Sequence, residues 1–123
     1  MITMRYSSGS IFVVEDEAMI RMLLVEMLDE LGYSIAAQTG NIDEALSLAQ
    51  ALEFDLAILD VNLNGKLISP VAELLEARQS RFVFATGYGS EVLPMRYRTR
   101  PYLQKPFQME ALASTLPAAI AAP

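Results

Sequence analysis

Apolar residues along this chain switch between two periods. Ile11-Phe12-Val13-Val14 is a short unbroken run, rich in β-branched and aromatic residues, and Glu15-Asp16-Glu17 cuts it off. Runs of this kind read as strands buried on both faces. Ile20, Leu23, Leu24, Met27, Leu28 and Leu31 then recur at the three- and four-residue spacing of one helix face. Gly32 stands where a helix-ending glycine belongs. Residues 34–39 read as a weaker strand. Asn41 is placed to cap the next helix, with Glu44 three residues on, and Ile42, Ala45, Leu46 and Ala49 repeat the helical spacing.

Leu56-Ala57-Ile58-Leu59 predicts a third strand ended by Asp60, followed by a polar loop at Asn62, Asn64 and Gly65. Ser69-Pro70 reads as a helix opening, N-cap then first-position proline, with Val71, Leu74 and Leu75 inward. Phe82-Val83-Phe84-Ala85 predicts a fourth strand ending at Thr86. Over residues 87–101 the pattern falters: Gly87, Gly89, Pro94 and Pro101 are too many breakers for a regular helix. Tyr102-Leu103-Gln104 predicts a short fifth strand before Lys105-Pro106. Residues 107–121 carry Leu112, Leu116 and Ile120 at helical spacing, with Pro117 expected to kink that helix or end it early. Strands alternating with helices predict an α/β domain built on a doubly wound five-stranded parallel sheet, with a weak or irregular fourth helix.

Composition narrows what such a domain can do. The 123 residues fit one domain, and 53% hydrophobic with 20% charged residues supports a packed core. Residues 1–9 are expected to be a flexible N-terminus, with the domain over residues 10–123. The seven methionines are expected mostly to fill core gaps. Cysteine and histidine are both absent, which removes disulfides, zinc sites, thiol nucleophiles and histidine-assisted ones. The chain cannot itself be a phosphohistidine donor. A net charge of −6 argues against nucleic-acid binding. Residues 1–10 hold no apolar stretch of signal-peptide length, and residues 111–123 are too short for a spanning helix and are interrupted by Pro117. The expectation is a soluble cytoplasmic protein without membrane insertion.

All strand C-termini of a parallel sheet share one edge, where open α/β folds bind ligands. That edge would gather Glu15 and Asp16, Asp60, Thr86 and Lys105. Any one of them alone is ordinary turn chemistry; a different reactive group at each of four strand ends is not. Three clustered carboxylates repel and call for a cation. Oxygen ligands alone suit a hard ion such as Mg²⁺, and a lysine and a hydroxyl are partners for phosphate oxygens. Asp60, in the middle, is the candidate nucleophile toward phosphorus. Asp16 is then the main metal ligand, with Glu15 second or acting through water.

At these residues the chain resembles the receiver domains of two-component response regulators. Val13-Val14-Glu15-Asp16-Glu17 is similar to their acidic pair, and Ile58-Leu59-Asp60-Val61-Asn62-Leu63-Asn64-Gly65 to their phosphoacceptor segment. Ala85-Thr86-Gly87 resembles the switch-threonine site and Gln104-Lys105-Pro106-Phe107 the lysine-proline site. The resemblance implies a flavodoxin-like (βα)5 fold, and phosphoryl transfer to Asp60 from a sensor histidine kinase or a histidine phosphotransfer protein. It implies that the Asn62 backbone carbonyl completes the Mg²⁺ site, that Lys105 contacts the phosphate and that the peptide before Pro106 is cis. It implies a switch of Thr86 and Tyr102, and dephosphorylation tuned by Asn62 and Tyr88. Phe84-Ala85-Thr86-Gly87-Tyr88 is similar to the signature of single-domain bacterial receivers with a poorly formed fourth helix. Such a module is not an enzyme in the usual sense, and its output is contact with a downstream protein target.

Two other readings remain. A pseudo-receiver would keep the fold and bind partners without phosphate. A haloacid-dehalogenase-type phosphatase also uses Asp, Thr, Lys and Mg²⁺, but Asp60-Val61-Asn62 has an amide where its general acid belongs. Arg96, Arg98 and Arg100, alternating with Met95, Tyr97 and Thr99, read as a solvated edge or extended loop, or else a docking site for an acidic partner.

Overall fold

The first apolar run becomes β1, Gly9–Val14, in a computed structural model that describes residues 9–122. Residues 1–8, most of the expected flexible N-terminus, lie outside the described residues. β1 is the second strand of a five-stranded, all-parallel sheet with β2 (Tyr33–Thr39), β3 (Leu56–Asp60), β6 (Phe82–Thr86) and β7 (Tyr102–Gln104), in the order β2-β1-β3-β6-β7. Every residue of β3 and β6 is buried, as befits strands covered on both faces. Alternate side chains therefore feed two cores. Phe12, Leu59 and Phe84 face the layer of α2 (Ile42–Ala51) and α3 (Ser69–Ala77); Ile11, Ile58 and Val83 face that of α1 (Ala18–Glu30) and α4 (Met109–Ala121).

Local signals hold at several ends. Gly32, at φ 90°, follows α1 and donates its amide to the Asp29 carbonyl. The Asn41 carboxamide accepts from the Glu44 amide at 2.9 Å, capping α2. The far end of α2 is closed by Arg78, whose Nη1 donates to the Ala49 and Leu52 carbonyls. Beyond β3 the expected polar loop is a small hairpin, β4 (Asn62–Leu63) against β5 (Lys66–Leu67). Asn64 and Gly65 form its turn at φ 51° and 83°, the pairing that tight hairpins favour.

Other expectations are corrected. The apolar stripe of α1 centres on Leu24 and Leu28, so Leu23 turns outward and is 49% exposed. Among the described residues methionine is not a core filler: Met19, Met22 and Met95 are exposed, while Met27 packs partly against the core. Ser69 is the first residue of α3 rather than its cap, which is Ile68. Ile68 is buried, donates to the Val61 carbonyl and accepts from Val71 and Ala72, so tertiary anchoring overrides the polar capping preference. α4 runs through Pro117 to Ala121 without ending early; the carbonyl that loses its partner belongs to exposed Ala113.

No regular helix lies between β6 and β7. Two 3₁₀ turns, Ser90–Val92 and Met95–Tyr97, occupy the segment, as the breakers predicted. The arginines there lie on a loop, Arg96 and Arg98 exposed as in the solvated reading, and each has a partner within the chain. Arg96 pairs with Glu76 at 2.7 Å, and Arg98 donates to the Leu93 and Glu91 carbonyls. The Arg100 guanidinium lies 4.1 Å over the Phe82 ring. Leu93 and Tyr97 are buried in the core between them, and the Tyr97 hydroxyl donates to Glu76 at 2.8 Å. Among the described residues, no helix is long and apolar enough to cross a membrane.

Candidate functional site

The sheet delivers its polar strand ends to one cleft of about 780 Å³, lined by Asp16, Asp60, Asn62, Thr86, Tyr88 and Lys105 among others. Glu15 directly follows β1, and its amide donates to the Thr39 carbonyl at 2.9 Å, continuing the ladder with β2. Its side chain is buried, with Oε1 accepting from Lys105 Nζ at 2.7 Å and Oε2 from the Glu17 amide at 3.1 Å. Asp16 is less covered, and its Oδ2 accepts from the Asn64 amide at 3.0 Å. Asp60, last residue of β3 and 6% exposed, sits 3.3 Å from Lys105 Nζ through Oδ1. One carboxylate oxygen each from Glu15, Asp16 and Asp60 lies within 4.8 Å of the others.

One ammonium among three carboxyl groups sets their protonation. Burial, then the hydrogen bond and charge of Glu15, push the Asp60 carboxyl up to about 8, with Lys105 opposing. Burial also works upward on Asp16, but the Asn64 amide and hydrogen bonds with Glu15 and Asp60 outweigh it and hold it below the usual range. Burial works downward on Lys105, yet the Glu15 hydrogen bond and the Asp60 charge keep its ammonium above its ordinary value. Without a cation, burial and the neighbouring carboxylates favour the protonated form of Asp60.

Thr86, buried at the end of β6, holds Lys105 through a backbone bond of 2.9 Å, and its Oγ1 accepts from the Tyr88 amide at 3.0 Å. The Lys105-Pro106 peptide is cis, as expected. Asn62 lies on the lining with its carboxamide turned to the Gly65 amide at 2.8 Å, and the Tyr88 ring is 83% exposed. Tyr102 stands on β7 outside that lining, paired in register with Phe84. Sequence reasoning missed the Asn64 amide as a partner of Asp16. The Asn-Gly pair signals the hairpin turn, but a main-chain amide meeting a carboxylate distant in sequence leaves no signal of its own.

This arrangement is that of a known class. Residues 11–117 match the model of the response regulator receiver domain, and the chain belongs to that family, signalling modules of two-component systems. Among solved structures it is similar to SdrG from Sphingomonas melonis Fr1, at 42% identity and a TM-score of 0.81, over 94% of this chain and 98% of that one. The BeF3-activated conformation of SdrG from Pseudomonas melonis Fr1 superposes with a TM-score of 0.79, at 42% identity over 95% and 99% of the two chains. The receiver domain of sensor histidine kinase PA1611 from Pseudomonas aeruginosa PAO1 shares the fold at 22% identity and a TM-score of 0.78, over 91% and 97%. The transcriptional regulatory protein PdtaR of Mycobacterium tuberculosis is 35% identical over 114 residues, 89% of this chain and 56% of PdtaR. The chain thus spans about half the length of the first curated relatives it matches.

Proposed function

We propose that this receiver accepts a phosphoryl group on Asp60 and that the modified domain changes its protein contacts. The observation that carries the reading is Asp60 itself, buried between Lys105 and two further carboxylates at the floor of the cleft. In the transfer, a carboxylate oxygen of Asp60 forms the P–O bond as the P–N bond of a phosphohistidine breaks, and the electron pair returns to the imidazole nitrogen. The donor is a sensor histidine kinase or histidine phosphotransfer protein. Lys105 meets the phosphoryl oxygens, and the Thr86 hydroxyl turns toward them, exchanging its bond to the Tyr88 amide. Tyr102 is the aromatic partner of that movement, while Asn62 and Tyr88 flank the path of the hydrolytic water.

The donor set fits magnesium: three oxygen ligands, in a chain with no cysteine or histidine to attract a softer metal. Asp16, Asp60, Glu15 and the Asn62 carbonyl would hold it, and it would supply positive charge against the phosphoryl oxygens. The PA1611 receiver is a structure with magnesium coordinated in its active site cleft, and SdrG has a BeF3-activated conformation. Against the phosphatase reading, the position two beyond Asp60 is an amide, Asn62, whose carboxamide is engaged by the hairpin turn. The domain takes in Gly9, which pairs in β1 and so does not belong to the expected flexible N-terminus, and it works in the cytoplasm, passing its state to a downstream protein target.

Intact mass after incubation with Mg²⁺ and acetyl phosphate tests this directly. One phosphoryl adduct on the wild type and none on Asp60→Asn is the expected result. An adduct on both proteins would move the acceptor elsewhere. No adduct even with active sensor kinases would leave the pseudo-receiver.

A further inference from the structure

Arg21 lies in the first turn of α1, where a cation is disfavoured by the positive end of the helix dipole. Its guanidinium is nonetheless committed there: Nη1 donates to the Glu15 backbone carbonyl at 2.6 Å. The guanidinium occupies space that a side chain on residue 40 would contest. A Cβ on Gly40 would stand 2.7 Å from Arg21 Nη1, 3.0 Å from the Glu15 carbonyl oxygen and 3.1 Å from Asp16 Cα. Gly40 does not adopt a positive φ, so space rather than conformation accounts for the glycine. The backbone of Glu15 is therefore gripped from two sides, its amide by Thr39 and its carbonyl by Arg21. The peptide so fixed is the one that launches both the Glu15 and the Asp16 side chains into the acid cluster.

We propose that Arg21 is a positioning residue for that cluster: through the Glu15 carbonyl, in the space left by Gly40, it orients Glu15 and Asp16 toward Asp60 for cation binding. The inference rests on the cation reading given above and concerns a residue outside the ligand set. Two effects of removing Arg21 carry opposite signs, which makes the proposal testable. A guanidinium near a dication site repels the ion, so electrostatics alone predicts tighter binding once it is gone. Loss of positioning predicts weaker binding, about tenfold or more, the usual consequence of removing an outer partner that orients a ligand.

The experiment titrates Mg²⁺ into wild type, Arg21→Met, Arg21→Lys and Gly40→Ala. It follows amide NMR shifts and the rise in melting temperature, with metal-free melting as the control for folding. Arg21→Met is expected to raise the Mg²⁺ Kd by about tenfold and to shift the Glu15 and Asp16 amides before any metal is added. Arg21→Lys, which keeps a donor and the charge, recovers part of the affinity. Gly40→Ala displaces the guanidinium and weakens binding with Arg21 still present. Equal or tighter Mg²⁺ binding by Arg21→Met overturns the positioning role. No Mg²⁺ response in the wild type overturns the cation reading itself, so the two failures are distinguishable. If Arg21→Met does not fold, Arg21→Lys and Gly40→Ala decide: wild-type affinity in both sinks the proposal.

Discussion

The edge that carries Asp60 and the segment over residues 87–101 hold their side chains by opposite means. At the edge, the functional groups sit on or just beyond strands whose register is set by backbone pairing, as where Asp60 lies opposite Ala85. Between β6 and β7 there is no ladder and no regular helix, only two short 3₁₀ turns. Side chains do the holding instead. The Tyr97 ring packs 5.2 Å from Phe84 and 6.0 Å from Phe82, and its hydroxyl, Arg96 and Arg100 all converge on Glu76. Geometry built from backbone is spread over many bonds, whereas geometry built from side chains is concentrated in a few residues.

That contrast can be broken most forcefully at Tyr97. Tyr97→Ala empties a fully buried aromatic position and is expected to cost about 3–5 kcal/mol in urea unfolding, with faster amide exchange over residues 90–100. Tyr97→Phe, which keeps the ring, should lose much less. A cost under 1 kcal/mol for Tyr97→Ala, the size of a surface change, would show that the segment is held by something else.

At the edge the effect is smaller and has the opposite sign. A carboxyl raised from 3.8 to about 8 in the folded protein favours the fold in its protonated form. Its contribution is complete below about pH 4 and is lost as pH rises through about 8. Metal-free protein should therefore lose stability over that window. Asp60→Asn should flatten the profile and gain about 1–3 kcal/mol at pH 8, the range for relieving a poorly paired buried polar group. Lys105 keeps Glu15 as its partner in that variant, at 2.7 Å. Parallel pH profiles for the two proteins, measured by denaturant unfolding without metal, would contradict this. Smallest of all is Arg96→Ala, which removes a largely exposed ion pair and should cost about 0.2–1 kcal/mol.

The same contrast explains what could be read along the chain. Strands are legible because a parallel sheet buried on both faces needs unbroken apolar runs, and the acids that end those runs mark the site edge in the sequence itself. The Asn41 cap was visible for a similar reason, since capping is a local hydrogen bond between near neighbours. Tyr97 was not visible. Alternation with arginines is the pattern of a solvated strand, and it is the rings of Phe82 and Phe84 and the carboxylate of Glu76, distant in sequence, that turn Tyr97 inward. Leu23 is the exception on α1, since the other five apolar positions lie in or against the core. Arg21 and Gly40 gave no signal of their partnership, because a contact with a main-chain carbonyl leaves no complementary residue type to look for.

Glu76 gives the two sides of the molecule different responses to the medium. It accepts from Arg96 and Tyr97 and pairs with Arg100 at 3.6 Å, with the Arg96 side chain largely in water. Exposed charge pairs fade as the screening length shrinks toward about 3 Å at 1 M salt. The Glu15–Lys105 pair is enclosed and screened far less. Ionic strength therefore slackens the segment after β6 while leaving the acid cluster in place, so salt alone separates the mobility of one region from the chemistry of the other.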